Sequence, residues 1–215
     1  MELRALTEHE GKIFSLAYAP NGKLIASGDS QGIVHLWEAA TGKWLKSVKP
    51  LSNVVSAVAF SSDSQKLATA NADNNVKMYD LASGRLLKTL RHETQVLTTA
   101  LSPNNKYLAT SCMDNSEAIL WDAHSGRQLK TFKGHHGTIW SPAFSPNGKT
   151  LATSSDDSVA KLWDVASGQA LATLRGHGLL VPALAFSPDG ATLATGSSDK
   201  QVKLWPTTPQ QSGVV

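Results

Sequence analysis

The sequence predicts an all-β chain of five repeated units stacked into one domain, and three observations predict it. Trp37, Tyr79, Trp121, Trp163 and Trp205 recur every 42 residues, so five copies of one unit fill 210 of the 215 positions. A period of this length marks a repeat architecture, in which a unit too small to hold its own core buries its apolar face against its neighbours. Each copy reads as short apolar runs punctuated by Pro, Asn, Asp and Gly, and no segment carries the 3.6-residue periodicity of a helix.

The copy that ends at Trp163 shows the unit most completely. It runs Gly134 and His135, Ile139, Ala143 to Gly148, Leu151 to Ser154, Asp157, then Lys161, Leu162, Trp163 and Asp164. These residues at this spacing resemble the WD-repeat (WD40) family, in the regular form of its bacterial members. The resemblance implies a β-propeller of five four-stranded antiparallel blades, with strands a to d in each blade.

The elements follow in chain order. Strand a is expected at Ile13 to Tyr18, Val55 to Phe60, Val96 to Leu101, Ile139 to Phe144 and Val181 to Phe186. Pro142 and Pro182 fall inside it and cannot donate a ladder hydrogen bond, which suits an edge strand such as the innermost strand of a blade. The turn to strand b is Asn21-Gly22, Asn104-Asn105, Asn147-Gly148 or Asp189-Gly190, residues that accept the positive φ of a tight hairpin. The second copy has Ser62, Asp63 and Ser64 there, a weaker turn. Strand c ends at the periodic aromatic. A glycine turn at Gly42, Gly84, Gly126 or Gly168 then leads into strand d.

The two ends complement each other. After Trp205 the chain passes to Pro206 and makes no strand d, whereas Leu3 to His9 match Leu171 to His177 with no strands before them. The N-terminal strand d is therefore expected to complete the last blade, giving one propeller domain over 1–209 and a disordered tail over 210–215.

His135, Ser155, Asp157 and Trp163 recur as His177, Ser197, Asp199 and Trp205. Histidine, hydroxyl and carboxylate suggest a catalytic triad, but an active site is needed once and this set repeats. The resemblance implies a buried structural chain instead, from tryptophan through serine and histidine to aspartate. The other copies keep parts of it: His9 and Trp37 with Gln31 at the aspartate position, Asp73 with Leu51 and Tyr79, and His92 with Trp121. No ligand spacing for a metal, no phosphate loop and no nucleic-acid motif is present, so neither metal nor cofactor is expected.

In a propeller of this kind the residue after the first strand-a aliphatic stands at the channel mouth. That column reads Phe14, Ser56, Leu97, Trp140 and Pro182. Aromatic side chains there supply apolar contact at low entropic cost, so the rim is the expected site for a protein or peptide partner. Trp44, in strand d, is a second tryptophan outside the periodic set. Eleven of the 20 basic residues, Arg4 to Arg175, group about strand d. Lysine on an outer edge strand blocks sheet pairing; a basic belt for polyanions is the remote alternative, and a net charge of only +3 argues against nucleic acid as the main partner.

The function expected is a non-catalytic interaction scaffold; the alternative is an incomplete or assembly-competent propeller that self-associates if five blades do not close. With 41% hydrophobic and 17% charged residues the chain is of globular type. It has no apolar run of membrane-span length and no signal-peptide pattern at Met1 to Arg4. Its one cysteine, Cys112, suits a reducing compartment, so a cytoplasmic location is expected.

Overall fold

The computed structural model describes residues 3–49 and 54–207. Leu51, at the histidine position of the second copy, and the expected tail over 210–215 lie outside the described residues.

Nineteen strands and no helix make up the described residues. Blade 1 holds β1 (Ile13–Tyr18), β2 (Leu24–Asp29), β3 (Val34–Glu38) and β4 (Trp44–Val48). Blade 2 holds β5 (Val55–Phe60), β6 (Lys66–Asn71), β7 (Asn75–Asp80) and β8 (Leu86–Arg91), and blade 3 holds β9 (Val96–Leu101), β10 (Tyr107–Cys112), β11 (Ala118–Asp122) and β12 (Gln128–Phe132). Blade 4 holds β13 (Ile139–Phe144), β14 (Thr150–Ser155), β15 (Ala160–Asp164) and β16 (Ala170–Leu174); blade 5 holds β17 (Ala183–Phe186), β18 (Thr192–Gly196) and β19 (Val202–Pro206). Strands pair antiparallel in chain order within each blade, as the short turns require.

The turn from first to second strand is the same in all five blades. In blade 2 the chain lacks glycine, yet Ser64 takes a φ of 58° and its N–H reaches the Ser61 carbonyl at 2.8 Å, as Gly22 reaches Ala19. The Asp63 carboxylate helps hold it by accepting from the Ser61 hydroxyl and the Gln65 N–H. Pro142 lies in β13, an edge strand. Pro182 does not lie in a strand, because β17 begins only at Ala183.

Blades are joined by a repeated packing. The apolar side chains of the third strand face the next blade, so Val34 and Leu36 of β3 form one core cluster with Val55, Phe60, Leu67 and Leu81 of blade 2. The same joint recurs three times, at Met78, Leu120 and Leu162. Successive first strands also lie against one another, from β1 to β5, β9, β13 and β17.

Among the described residues the expected closure is not seen. Residues 3–12 form no strand, and the last sheet, β17 to β19, has three strands rather than four. Among the described residues no extended contact joins blade 5 to blade 1. The two end faces are bare: Val202 and Leu204 are 74% and 70% exposed, whereas their counterparts Val34 and Leu36 are 0% and 1% exposed. At the other end Leu16 and Tyr18 are 66% and 63% exposed, against 8% for Val58 and for Phe60.

The N-terminal segment lies against blade 1. Arg4 and Leu6 lie over Gly42, where a Cβ would meet Arg4 Cδ at 2.5 Å. Lys88 and Leu90 of β8 lie over Gly126 in the same way. Residues 3–9 thus occupy, on blade 1, the place that the fourth strand of a preceding blade would take.

Candidate functional site

Two sets of polar and aromatic residues repeat around the arc, one buried and one partly exposed. The buried set begins at the indole of the periodic tryptophan. In blade 4, Trp163 Nε1–H donates to Thr153 Oγ1 at 2.8 Å, Thr153 Oγ1 meets His135 Nε2 at 2.8 Å, and His135 Nδ1 meets Asp157 Oδ2 at 2.9 Å. Blade 5 repeats this through Trp205, Thr195, His177 and Asp199 at 2.8 Å for each link.

The hydroxyl in the chain is therefore not that of Ser155 or Ser197, as the sequence suggested, but of Thr153 and Thr195. Two positions apart on one strand, Thr153 and Ser155 share a face, but only Thr153 lies within reach of both rings. Ser155 Oγ and Ser197 Oγ instead accept the N–H groups of Asp157 and Asp199 in the following turn. A signal for the right residue was present: a hydroxyl stands ten places before the aromatic in Ser27, Thr69, Thr153 and Thr195.

Blade 1 corrects a second expectation. Its chain is complete, with Trp37 Nε1–H donating to Ser27 Oγ at 2.8 Å and His9 bridging Ser27 and Asp29 at 2.6 and 2.7 Å. The carboxylate comes from Asp29 on β2, not from position 31, where Gln31 donates its own N–H to Asp29. In blade 3 the chain stops at the ring: Trp121 donates to Thr110 and Thr110 meets His92, but His92 Nδ1 turns to the Leu90 carbonyl. An extra residue puts Thr110 eleven places before Trp121. In blade 2, Asp73 pairs with Lys77 at 2.5 Å.

The direction of the chain fixes the protonation of His135. Thr153 already accepts the indole proton, so its own O–H is free to donate to Nε2, and Nδ1–H donates to the carboxylate. A second ring proton on Nε2 would face the Thr153 O–H and displace it. Burial holds the His135 pKa below its ordinary value, against the opposing pull of Asp157. Burial pushes the Asp157 carboxyl up, but hydrogen bonds from the His136 N–H and the His135 ring outweigh it and leave the carboxyl below its ordinary value. Asp199 is held down to about 2, where bonds from the Gly178 N–H and His177 overcome burial. A fully buried hydroxyl already engaged with two rings is unsuited to attack a substrate, so this set locks loops onto strands.

The second set is the column Phe14, Ser56, Leu97, Trp140 and Pro182, in which Phe14, Trp140 and Pro182 are exposed and Ser56 and Leu97 half-buried. The register between first and second strands slips at one residue in each of blades 1 to 4, and the residues skipped are Phe14, Ser56, Leu97 and Trp140. Each is the unpaired residue of a β-bulge, a device that re-aims a side chain at the end of a strand. Pro182 stands at the matching place before β17. Phe14 is 58% and Trp140 38% exposed, and the Trp140 indole N–H is tied to the Asp156 carboxylate. Ser56 is spent within the arc, its hydroxyl donating to the Val96 carbonyl of blade 3 at 2.6 Å. Trp44 is anchored by its indole N–H to His35 Nδ1 at 3.0 Å.

The basic side chains do not form a continuous belt of strand residues. Among them only Lys46, Lys88, Arg91 and Lys130 lie within fourth strands. The stems of Lys88 and Lys130 cover Gly126 and Gly168 of the next blade, Lys46 donates to the Leu81 carbonyl, and Lys133 pairs with Glu117 at 2.8 Å. Among the described residues no group of three or more His, Cys, Asp and Glu is placed to hold a metal ion.

Comparison with known proteins accords with this geometry. The family model described as "WD domain, G-beta repeat" matches residues 84–122, 126–164 and 168–206, and the model of the anaphase-promoting complex subunit 4 WD40 domain matches residues 5–63. An uncharacterized WD repeat-containing protein of Nostoc sp. is 56% identical over 39 residues, 18% of this chain and 3% of that protein. The ribosome biogenesis protein erb1 of Neosartorya fischeri is 46% identical over 41 residues, 19% of this chain and 5% of that protein. The similarity to each relative thus spans about one repeat and a small fraction of the relative's length.

Proposed function

The chain belongs to the WD-repeat family, and on that footing we propose that it is a non-catalytic scaffold whose ledge of bulge residues binds a protein or peptide. One observation carries the reading: Phe14 and Trp140, two exposed aromatics outside the periodic set, both sit at bulges where strand pairing has been given up. Trp140 offers an apolar face with its one polar group already satisfied by Asp156, the combination found at binding hot spots. Leu97 and Pro182 extend the apolar ledge to either side of Trp140.

The test uses peptides selected from a random library on the native chain. Phe14→Ala and Trp140→Ala together are expected to weaken their binding about a hundredfold, at about tenfold for each lost aromatic anchor, with unfolding unchanged. Undiminished binding to the double variant would overturn the ledge as the site. A second reading, that the arc is incomplete or assembly-competent, is supported by the bare Val202 and Leu204 at one end and Leu16 and Tyr18 at the other.

A further inference from the structure

The two bare ends are the two halves of one joint that the molecule makes four times within itself. At each inner joint an apolar side chain of the third strand enters a crevice on the next blade. Leu36 shares one core cluster with Phe60, Leu67 and Leu81; Leu120 shares one with Leu151 and Val165, against which Phe144 packs; Leu162 shares one with Leu193, against which Phe186 packs. By the 42-residue period Leu204 is the fifth such side chain, and the matching crevice on blade 1 is formed by Tyr18, Ile25 and Ala39. That crevice is present and empty, as a groove of about 350 Å³ lined by Tyr18, Ile25 and Ala39 with Leu3, Arg4 and Leu6.

The backbone is matched in the same way. Among the described residues β19 has no fourth strand beside it, so one of its edges offers N–H and C=O groups for pairing. Residues 3–6 lie on blade 1 where the fourth strand of a preceding blade would lie, with Arg4 and Leu6 against Gly42, and belong to no strand among the described residues. One end lacks a strand and a crevice to fill; the other offers both.

We propose that the protein assembles head to tail with a second copy of itself, Leu204 and Val202 of one copy entering the Tyr18, Ile25 and Ala39 groove of the next. In that joint residues 3–6 of the second copy become the fourth strand beside β19. The inference rests on the arc being open. The contact is between unlike surfaces, so it is heterologous: it closes a ring where the rotation allows and otherwise adds copies in a row.

Two single variants separate this from every like-to-like contact. Leu204→Glu spoils only the blade 5 face and Leu16→Glu only the blade 1 face; both side chains are exposed, so both variants are expected to fold, as circular dichroism checks. By light scattering after gel filtration the native chain is expected to grow in mass with concentration. Each variant alone is expected to stay a monomer, and an equimolar mixture to run at twice the monomer mass, because one intact face of each kind remains. A mixture that stays monomeric, or one variant that still dimerises by itself, would overturn the proposal. A native chain that is a monomer throughout would overturn it too. In that case labelling of Leu204→Cys by a maleimide tells the two failures apart: labelling at the rate of a free thiol leaves the ends open but without a second copy, and protection refutes the open arc itself.

Discussion

Trp163→Ala lowers the free energy of unfolding by about 3–5 kcal/mol, the range for removing a large buried aromatic from a core. The side chain is buried among Phe132, Leu151 and Val165 at the joint of blades 3 and 4, and its N–H ends the chain through Thr153 and His135 to Asp157. Thr153→Val keeps the shape and removes only the hydroxyl, leaving an indole N–H and a ring nitrogen unpaired in the interior. It is expected to cost about 2 kcal/mol or more. Ser155→Ala, which loses one acceptor in the adjacent turn, is expected to cost about 1 kcal/mol or less. Urea unfolding of the three variants checks the order, and a Ser155→Ala loss equal to that of Thr153→Val would remove the assignment of the hydroxyl.

Acid destabilises the fold in two stages. His135 and His92 are held below their ordinary value of 6.5, mainly by burial. The unfolded chain therefore takes up protons there before the folded chain does. Their contribution is fully present above about pH 6.5 and is lost as pH falls toward their lowered folded values. Asp29, Asp157 and Asp199 are held below their ordinary value of 3.8, Asp199 to about 2. Their contribution is present above about pH 3.8 and is lost as pH falls through the folded values. Urea midpoints are thus expected to drop from pH 7.5 to pH 5 and again from pH 4 to pH 2. A midpoint unchanged between pH 7.5 and pH 5 would mean that the rings are charged in the folded state.

Much of this was legible in the sequence, for physical reasons that also mark where legibility stops. The 42-residue clock placed every blade, because a repeated joint needs the same residue at the same place each time. The end of blade 5 was read as complementary to residues 3–9, and the complementarity is visible in how Arg4 and Leu6 sit over Gly42. Whether that match is made within one chain depends on the rotation per blade, a sum of small packing angles that no single residue announces. The carboxylate of blade 1 was missed because Asp29 sits two places before the expected position and reaches the same ring from the strand rather than from the turn. Spacing alone does not distinguish Thr153 from Ser155, because both hydroxyls stand on one face of the strand and only the fold brings Thr153 to both rings.

The open arc is tested most directly by a disulfide between the two ends. Thr173 of β16 lies opposite Lys161 of β15, and the period makes Ala5 and Lys203 the corresponding pair across the missing strand. Cys112 does not interfere, being buried with its thiol pushed up to about 11. With Ala5→Cys and Lys203→Cys introduced together, mild oxidation is expected to give cross-links between chains at a rate that rises with concentration. A fast, concentration-independent link within a single chain would mean that residues 3–9 do complete blade 5, and that five blades close.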